Sequence, residues 1–128
     1  MPPAQPCADP SSRVLVVEDQ DDIREFVALV LQNEGYCVAT ADNGAVALEV
    51  VGRKPVGVVL LDMRMPVMDG WAFADAYRRG PGPHAPIVVL TAAQDAAARA
   101  AQIKADAYLG KPFELDDLLD VVARYTRG

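Results

Sequence analysis

The sequence has few of the residues that mark metalloproteins and disulfide scaffolds. Cysteine occurs twice, at Cys7 and Cys37, and histidine once, at His84. Two distant cysteines form neither a disulfide framework nor a metal-ligand spacing, so we expect each to be a small hydrophobe or a free thiol. His84 lies in a proline-rich loop without a neighbouring cysteine or histidine, and we do not expect it to bind metal.

Long apolar runs and clusters of basic residues are missing as well. No run approaches the ~18 apolar residues of a membrane span, and the first residues hold prolines instead of the apolar core of a secretion signal. Lysine and arginine are scattered through a chain of net charge -6, which argues against direct nucleic-acid binding. We expect a cytoplasmic protein with a flexible proline-rich tail over residues 1–12 and one domain over residues 13–128.

What the sequence does contain is an alternation of short β-branched runs with segments of helical period. Half of the 128 residues, 52%, are hydrophobic, which is enough for one domain core. Strands are predicted at residues 13–18, 36–41, 57–61, 87–90 and 107–109. Helices are predicted from Asp21 to a stop at Gly35, then near residues 44–53, 69–79 and 94–104, and from Glu114 onward. This order predicts an α/β, doubly wound fold with a five-stranded parallel sheet.

Five polar residues fall at the carboxyl ends of predicted strands, where ligands bind in such folds. They are Glu18, Asp19, Asp62, Thr91 and Lys111. Two unit charges ~4 Å apart repel by about 4 kcal/mol at an effective dielectric of ~20, so three carboxylates at one edge need a compensating cation. Lys111 supplies one charge, and Mg²⁺, which prefers oxygen ligands, could supply more.

The sequence resembles the receiver domains of two-component response regulators over residues 13–125, and the resemblance is carried by the runs VLVVED, VVLLDMRMPVMDG, VVLTA and YLGKPF. The resemblance implies a flavodoxin-like (βα)5 fold with strand order 2-1-3-4-5. It also implies that Asp62 is the phosphoacceptor, and that Mg²⁺ is bound by Glu18, Asp19, Asp62 and the backbone carbonyl of Arg64. Lys111 and Thr91 would contact the phosphoryl group.

The same resemblance predicts the phosphoryl donor, the switch residues and the output face. The donor is expected to be a sensor histidine kinase, a phosphotransfer protein or a small phosphodonor. Thr91 and Tyr108 are the expected switch residues. The expected output face consists of the fourth helix, the fifth strand and the fifth helix. We expect the alanine-rich fourth helix to be the most mobile element. A phosphorylation-dependent homodimer is one expected outcome. The downstream target is unknown, and either a stand-alone receiver or a piece of a longer protein is expected.

Two residues depart from the common receiver pattern, and one peptide bond is predicted from it. Lys104 stands where many receivers have glycine, so we expect a less strained or differently capped turn there. Gly110 replaces a larger residue directly before Lys111, and we expect a less rigid loop. The Lys111–Pro112 bond is predicted to be cis.

Other functions remain as alternatives. Asp62 could belong to an aspartyl-phosphate hydrolase, although that family has a second acid where this chain has Arg64 and carries its nucleophile on the first strand. The chain could be a non-phosphorylated docking module, although such modules tolerate loss of site residues and none is lost here. A nucleotide-binding domain is disfavoured because no G-x-G-x-x-G follows any strand. We do not expect an enzyme acting beyond its own phosphoryl transfer and dephosphorylation.

Overall fold

Strands and helices alternate strictly over residues 12–126, the part of the chain that this computed structural model describes. The strands are β1 (Arg13–Val17), β2 (Cys37–Ala41), β3 (Val58–Asp62), β4 (Ile87–Ala92) and β5 (Ala107–Lys111). The helices are α1 (Asp21–Asn33), α2 (Gly44–Arg53), α3 (Gly70–Arg79), α4 (Ala93–Ile103) and α5 (Leu115–Thr126). No helix in this range has the length and hydropathy that a membrane span requires. Except for Ser12, the predicted tail lies outside the described residues.

All pairs of neighbouring strands run parallel, in the order β2-β1-β3-β4-β5. The predicted doubly wound fold and its strand order are therefore confirmed. The predictions for β3, β4 and β5 were one or two residues too short at their carboxyl ends, whereas β2 ends as predicted and β1 ends one residue earlier. Asp62 and Lys111 are the last residues of β3 and β5 rather than the residues that follow them, because the parallel ladder continues through the pairs Asp62 with Leu90 and Ala92 with Lys111.

The sheet separates two hydrophobic clusters because successive strand side chains point to opposite faces. Leu15, Leu61 and Val89 point to the face covered by α2, α3 and α4. Val16, Leu60 and Val88 point to the face covered by α1 and α5. The three central strands are thus buried on both sides, which explains their near-continuous runs of valine, leucine and isoleucine.

Cys37 begins β2 and is not a free thiol. The structure assigns it to a disulfide, so the expectation of a free thiol or small hydrophobe is wrong at this position. The other cysteine, Cys7, lies outside the described residues. Two cysteines in a sequence offer no spacing pattern from which such a bond could be predicted.

Lys104 ends α4 in a left-handed backbone conformation, with φ 54° and ψ 46°. Its amide donates to the carbonyl of Ala101 at 3.2 Å, and the amide of Ala105 donates to Ala100 at 2.9 Å. These two bonds form a Schellman cap, the motif that glycine favours at this position. The expected relief of strain is therefore not present, because a side chain occupies a conformation that is unfavourable for residues with a Cβ atom.

Gly110 packs β5 against the first turn of α4. A Cβ atom built on Gly110 would lie 2.5 Å from Cα and 2.7 Å from Cβ of Ala93. Gly110 also pairs with Thr91 in the sheet. The structure therefore gives this glycine a close-packing role, which the expectation of a less rigid loop did not include.

We predict that Lys104→Gly stabilises the fold. Glycine adopts the left-handed conformation without a Cβ penalty, so the free energy of unfolding should rise by about 1 kcal/mol. Urea denaturation measures the change. Lys104→Ala is the control, because it removes the same side chain but keeps Cβ, and its effect should be near zero. Equal midpoints for the glycine and alanine variants would contradict a strained cap.

We predict that Gly110→Ala destabilises the fold by about 1 to 3 kcal/mol, because the new methyl group meets the backbone of Ala93. Gly52→Ala is the matched control. A Cβ at Gly52 meets no atom within 4 Å, and alanine has the higher helix propensity, so this change should be neutral or slightly stabilising. Thermal unfolding compares the two, and an unaffected Gly110→Ala protein would show that β5 and α4 are not tightly packed.

Candidate functional site

Three carboxylates meet at the carboxyl edge of the sheet. Glu18 and Asp19 directly follow β1, and Asp62 ends the neighbouring strand β3. One oxygen from each lies within 4.8 Å of the others. Glu18 is fully buried and Asp62 is 5% exposed. The sequence predicted this convergence from the strand ends alone, and the structure brings the three residues together.

Lys111 contributes the positive charge of this acidic cluster. Its Nζ lies 2.6 Å from Oε1 of Glu18 and 3.6 Å from Oδ1 of Asp62. The side chain extends from the end of β5, and the following Lys111–Pro112 peptide is cis, as predicted. One ammonium group thus contacts two of the three acids, and the residues that carry these charges come from three different strand ends.

Glu18 and Asp19 do not cap α1. The N-cap residue is Gln20, and no side chain accepts a capping hydrogen bond there. The second Glu18 oxygen, Oε2, accepts from the Gln20 amide at 3.2 Å. Arg24, one turn into α1, donates to the backbone carbonyl of Glu18 at 2.9 Å and forms an ion pair with Asp21. Arg24 therefore anchors the acidic pair to α1, a role that the sequence analysis missed.

Thr91 and Tyr108 lie on neighbouring strands but differ in exposure. Thr91 is buried in β4, one residue beyond Leu90, which pairs with Asp62. Tyr108 lies on β5 beside Val89 and is 51% exposed. Thr91 is therefore close to the acidic edge, whereas the Tyr108 ring faces largely outward. Arg64, two residues after Asp62, is exposed in the loop between β3 and α3.

The start of α3 is fixed directly to the end of β3. Oδ1 of Asp69 accepts from the Ala72 amide at 2.9 Å, so Asp69 is the N-cap of α3. The Gly70 amide donates to the Met63 carbonyl at 2.9 Å. A Cβ on Gly70 would lie 2.8 Å from the Asp62 carbonyl oxygen. Only glycine permits the backbone of α3 to come this close to Asp62. The adjacent residues Asp69 and Gly70 were the feature of the sequence from which this contact could have been predicted.

Burial raises the pKa of Asp62 from 3.8 to about 7, and the negative charge of Glu18 acts in the same direction. Lys111 opposes the rise, while Asp19 adds to it through a hydrogen bond and its charge. Desolvation exceeds the attraction to a single lysine. The cluster therefore holds a carboxyl group that titrates near neutrality, and its hard oxygen donors fit a divalent cation such as Mg²⁺.

We predict that Asp62→Asn stabilises the metal-free protein increasingly as pH rises. The pKa of Asp62 is raised in the folded state. Its contribution to the free energy of unfolding is therefore fully present below pH 3.8 and is lost as the pH rises through about 7. The variant should gain about 2 to 4 kcal/mol at about pH 8 and less than half of that at about pH 5.

Denaturant unfolding in the presence of a chelator measures these gains. Asp75→Asn is the control, because Asp75 is an exposed acid on α3 outside the cluster. A gain that is equal at both pH values would contradict the raised pKa of Asp62.

Comparisons with known proteins agree with this geometry. The family model of the response regulator receiver domain matches residues 14–123. The alkaline phosphatase synthesis transcriptional regulatory protein SphR of Synechococcus elongatus is 40% identical over 126 residues, which cover 89% of this chain and 48% of SphR. Response regulator MprA of Mycobacterium leprae is 39% identical over 109 residues, 84% of this chain and 47% of MprA. The chain thus spans about half the length of these relatives.

Solved structures give the same result. The chemotaxis protein CheY4 of Vibrio cholerae has a TM-score of 0.77 and 32% identity, with coverage of 88% of this chain and 97% of CheY4. The receiver domain of NtrX from Brucella abortus has a TM-score of 0.79 and 30% identity, with coverage of 88% and 97%. With its strand order, its acidic edge and its match to the family model, this chain belongs to the response regulator receiver domain family.

Proposed function

We propose that the chain, over residues 13–128, is a cytoplasmic phosphoacceptor domain that receives a phosphoryl group on Asp62. The observation that carries this proposal is the placement of Asp62, which is buried, lies beside two acids and has the Lys111 ammonium 3.6 Å from its Oδ1. A lone turn aspartate would not be expected to have these neighbours. Receiver domains of response regulators work with sensor histidine kinases, and we propose such a kinase or a phosphotransfer protein as the donor.

The proposed reaction is a phosphoryl transfer. A carboxylate oxygen of Asp62 forms a bond to phosphorus while the bond from phosphorus to the donor atom breaks, and the donor atom keeps that electron pair. The product is an acyl phosphate, which water can hydrolyse, so the modification suits a reversible signal. Lys111 is suited to neutralise phosphoryl oxygens, because its ammonium already lies between Glu18 and Asp62.

Glu18, Asp19 and Asp62 would hold Mg²⁺, together with the backbone carbonyl of Arg64. The fit rests on the donor set, since three carboxylate oxygens within 4.8 Å of one another are the hard ligands that this ion prefers. When bound, the ion supplies positive charge that offsets the phosphoryl oxygens and the acids around them. Asp62 must lose its proton to act as nucleophile, and added positive charge favours that ionised form.

The proposed output is a change in the face formed by α4, β5 and α5. Thr91 is buried at the acidic edge, and Tyr108 lies on the adjacent strand and is half exposed. The Thr91 hydroxyl would bond a phosphoryl oxygen, and Tyr108 would turn inward as α4 repacks. A downstream target or a second copy of the chain would recognise the changed face.

Two alternatives differ from this proposal in what they require of the site. A phosphatase of the aspartyl-phosphate type would need a second acid at the position of Arg64 and a nucleophile on β1, whereas Asp62 ends β3. A docking module without phosphorylation would not require Lys111 to contact Asp62. The geometry therefore favours phosphorylation over both.

We predict that wild-type protein incubated with acetyl phosphate and Mg²⁺ gains the mass of one phosphoryl group, and that Asp62→Asn does not. The reason is that asparagine keeps the shape of the side chain but lacks the nucleophilic oxygen. Intact-mass spectrometry measures the adduct, and a chelator should abolish it.

Asp75→Asn serves as the matched control and should be labelled like the wild type, because Asp75 is exposed on α3 and pairs with Arg79. An undiminished adduct on Asp62→Asn would overturn the assignment of the acceptor. A wild-type protein that is folded but never labelled would favour the docking module.

A further inference from the structure

Helix α4 has little apolar surface with which to hold its position. Its buried side chains are two alanines and one isoleucine, namely Ala96, Ala100 and Ile103. Each alanine methyl buries only a small area, so hydrophobic attachment of α4 is weak compared with that of α1, which buries valine and leucine. Other contacts must therefore contribute to the position of α4.

Besides the close packing of Gly110 against Ala93, polar contacts from α3 hold α4, and they centre on Trp71. The indole Nε1 donates to Oε1 of Gln102 at 2.8 Å. The Arg99 guanidinium lies over the indole ring, with Cζ 5.1 Å from the ring centroid. Gln102 and Arg99 are both on α4, so one side chain of α3 binds two residues of α4. We call these three residues the α3–α4 contact.

A second residue of α3 holds the end of α4. Arg78 donates to the backbone carbonyls of Ile103 and Lys104, the latter at 3.0 Å. Carbonyls at a helix end lack partners within the helix, and a cation there also compensates the helix dipole. Arg78 thus keeps the carboxyl end of α4 near α3, while the α3–α4 contact reaches one turn further back along α4.

Trp71 is also tied to the proposed phosphoacceptor through its neighbour Gly70. The Gly70 amide is bonded to the carbonyl of Met63, and no space remains between Gly70 and the Asp62 carbonyl for even a methyl group. Met63 directly follows Asp62 and is fully buried. A displacement of the backbone at Asp62 therefore displaces the start of α3 and with it the residue that carries the indole.

We propose that Trp71 is a positioning residue of the switch: its indole holds α4 against α3 before phosphorylation, and phosphorylation of Asp62 breaks its hydrogen bond to Gln102. The inference rests on the proposed function of Asp62 and adds a route to α4 besides Thr91 and Tyr108. Phosphorylation replaces the single negative charge of the Asp62 carboxylate with a phosphoryl group of about -2 charge next to the anchored end of α3, and the α3–α4 contact is polar enough to be replaced by water once α3 shifts.

The test uses Trp71 as its own reporter, because it is the single tryptophan of the chain. Beryllofluoride, which imitates the phosphoryl group, is added with Mg²⁺, and its binding is measured independently by the fluorine NMR signal of the bound ion. Tryptophan emission should shift to the red in the wild type as the indole becomes hydrated. Asp62→Asn should show neither the bound signal nor the shift.

Variants of Gln102 separate the switch role from a merely structural one. Gln102→Ala removes the acceptor, so amide exchange in residues 93–103 should be about tenfold faster without beryllofluoride. Its emission should already be red-shifted and should change little on activation, although beryllofluoride still binds. Gln102→Glu keeps an acceptor oxygen and should behave like the wild type. Gln94→Ala, the same change at an exposed site in the first turn of α4, should leave exchange unaltered.

Bound beryllofluoride with unchanged Trp71 emission would overturn the proposal while leaving the function of Asp62 intact. So would an emission shift in Gln102→Ala equal to that of the wild type. No bound fluorine signal in folded wild-type protein would instead overturn the proposed function, and this inference with it.

Discussion

The repulsion among Glu18, Asp19 and Asp62 is the constraint on which the rest of this site depends. Two of these acids are buried, and the described part of the chain brings one ammonium group, Lys111, into contact with them. Burial and the charge of Glu18 prevail over that lysine at Asp62 and raise its pKa to about 7. The negative charge of this site is only partly compensated, so a bound cation or a phosphoryl group changes its net charge.

The fold maintains this arrangement by fixing backbone positions close to each charge. Glu18 is held by the Arg24 guanidinium and by a bond from its own amide to the Ala41 carbonyl at 3.0 Å. Asp62 is backed by the close approach of Gly70. Lys111 is the last residue of β5, and Gly110, directly before it, packs against α4. The charges therefore have little freedom to separate, and each lies next to backbone that is in contact with a helix, α1, α3 or α4.

Sequence patterns predicted the elements and the acidic edge because both follow from local chemistry. Strand runs that are apolar on both faces predict a parallel sheet, and parallel strands bring their carboxyl ends to one edge. The contacts that were missed depend on distances between elements. The indole of Trp71 reaches Gln102, which is 31 residues away in sequence. Nothing in the spacing of tryptophan and glutamine indicates that bond.

The predictions for Lys104 and Gly110 were wrong because the sequence does not reveal backbone conformation and close packing at these positions. Lys104 was expected to relax the turn after α4, but the Schellman cap requires a left-handed residue whatever its side chain. Gly110 resembled a flexible position, although it is required for close packing against Ala93. The disulfide at Cys37 was also missed, since two cysteines offer no spacing pattern that predicts it.

The negative charge of Asp62 is costly in this buried acidic cluster unless a cation is added. The most direct test is an NMR titration of the Asp62 carboxyl carbon in the presence and absence of saturating Mg²⁺. We predict a midpoint at about 7 without the ion and a clearly lower midpoint with it. An Asp62 midpoint that is ordinary for aspartate without Mg²⁺, or that does not respond to the ion, would contradict it.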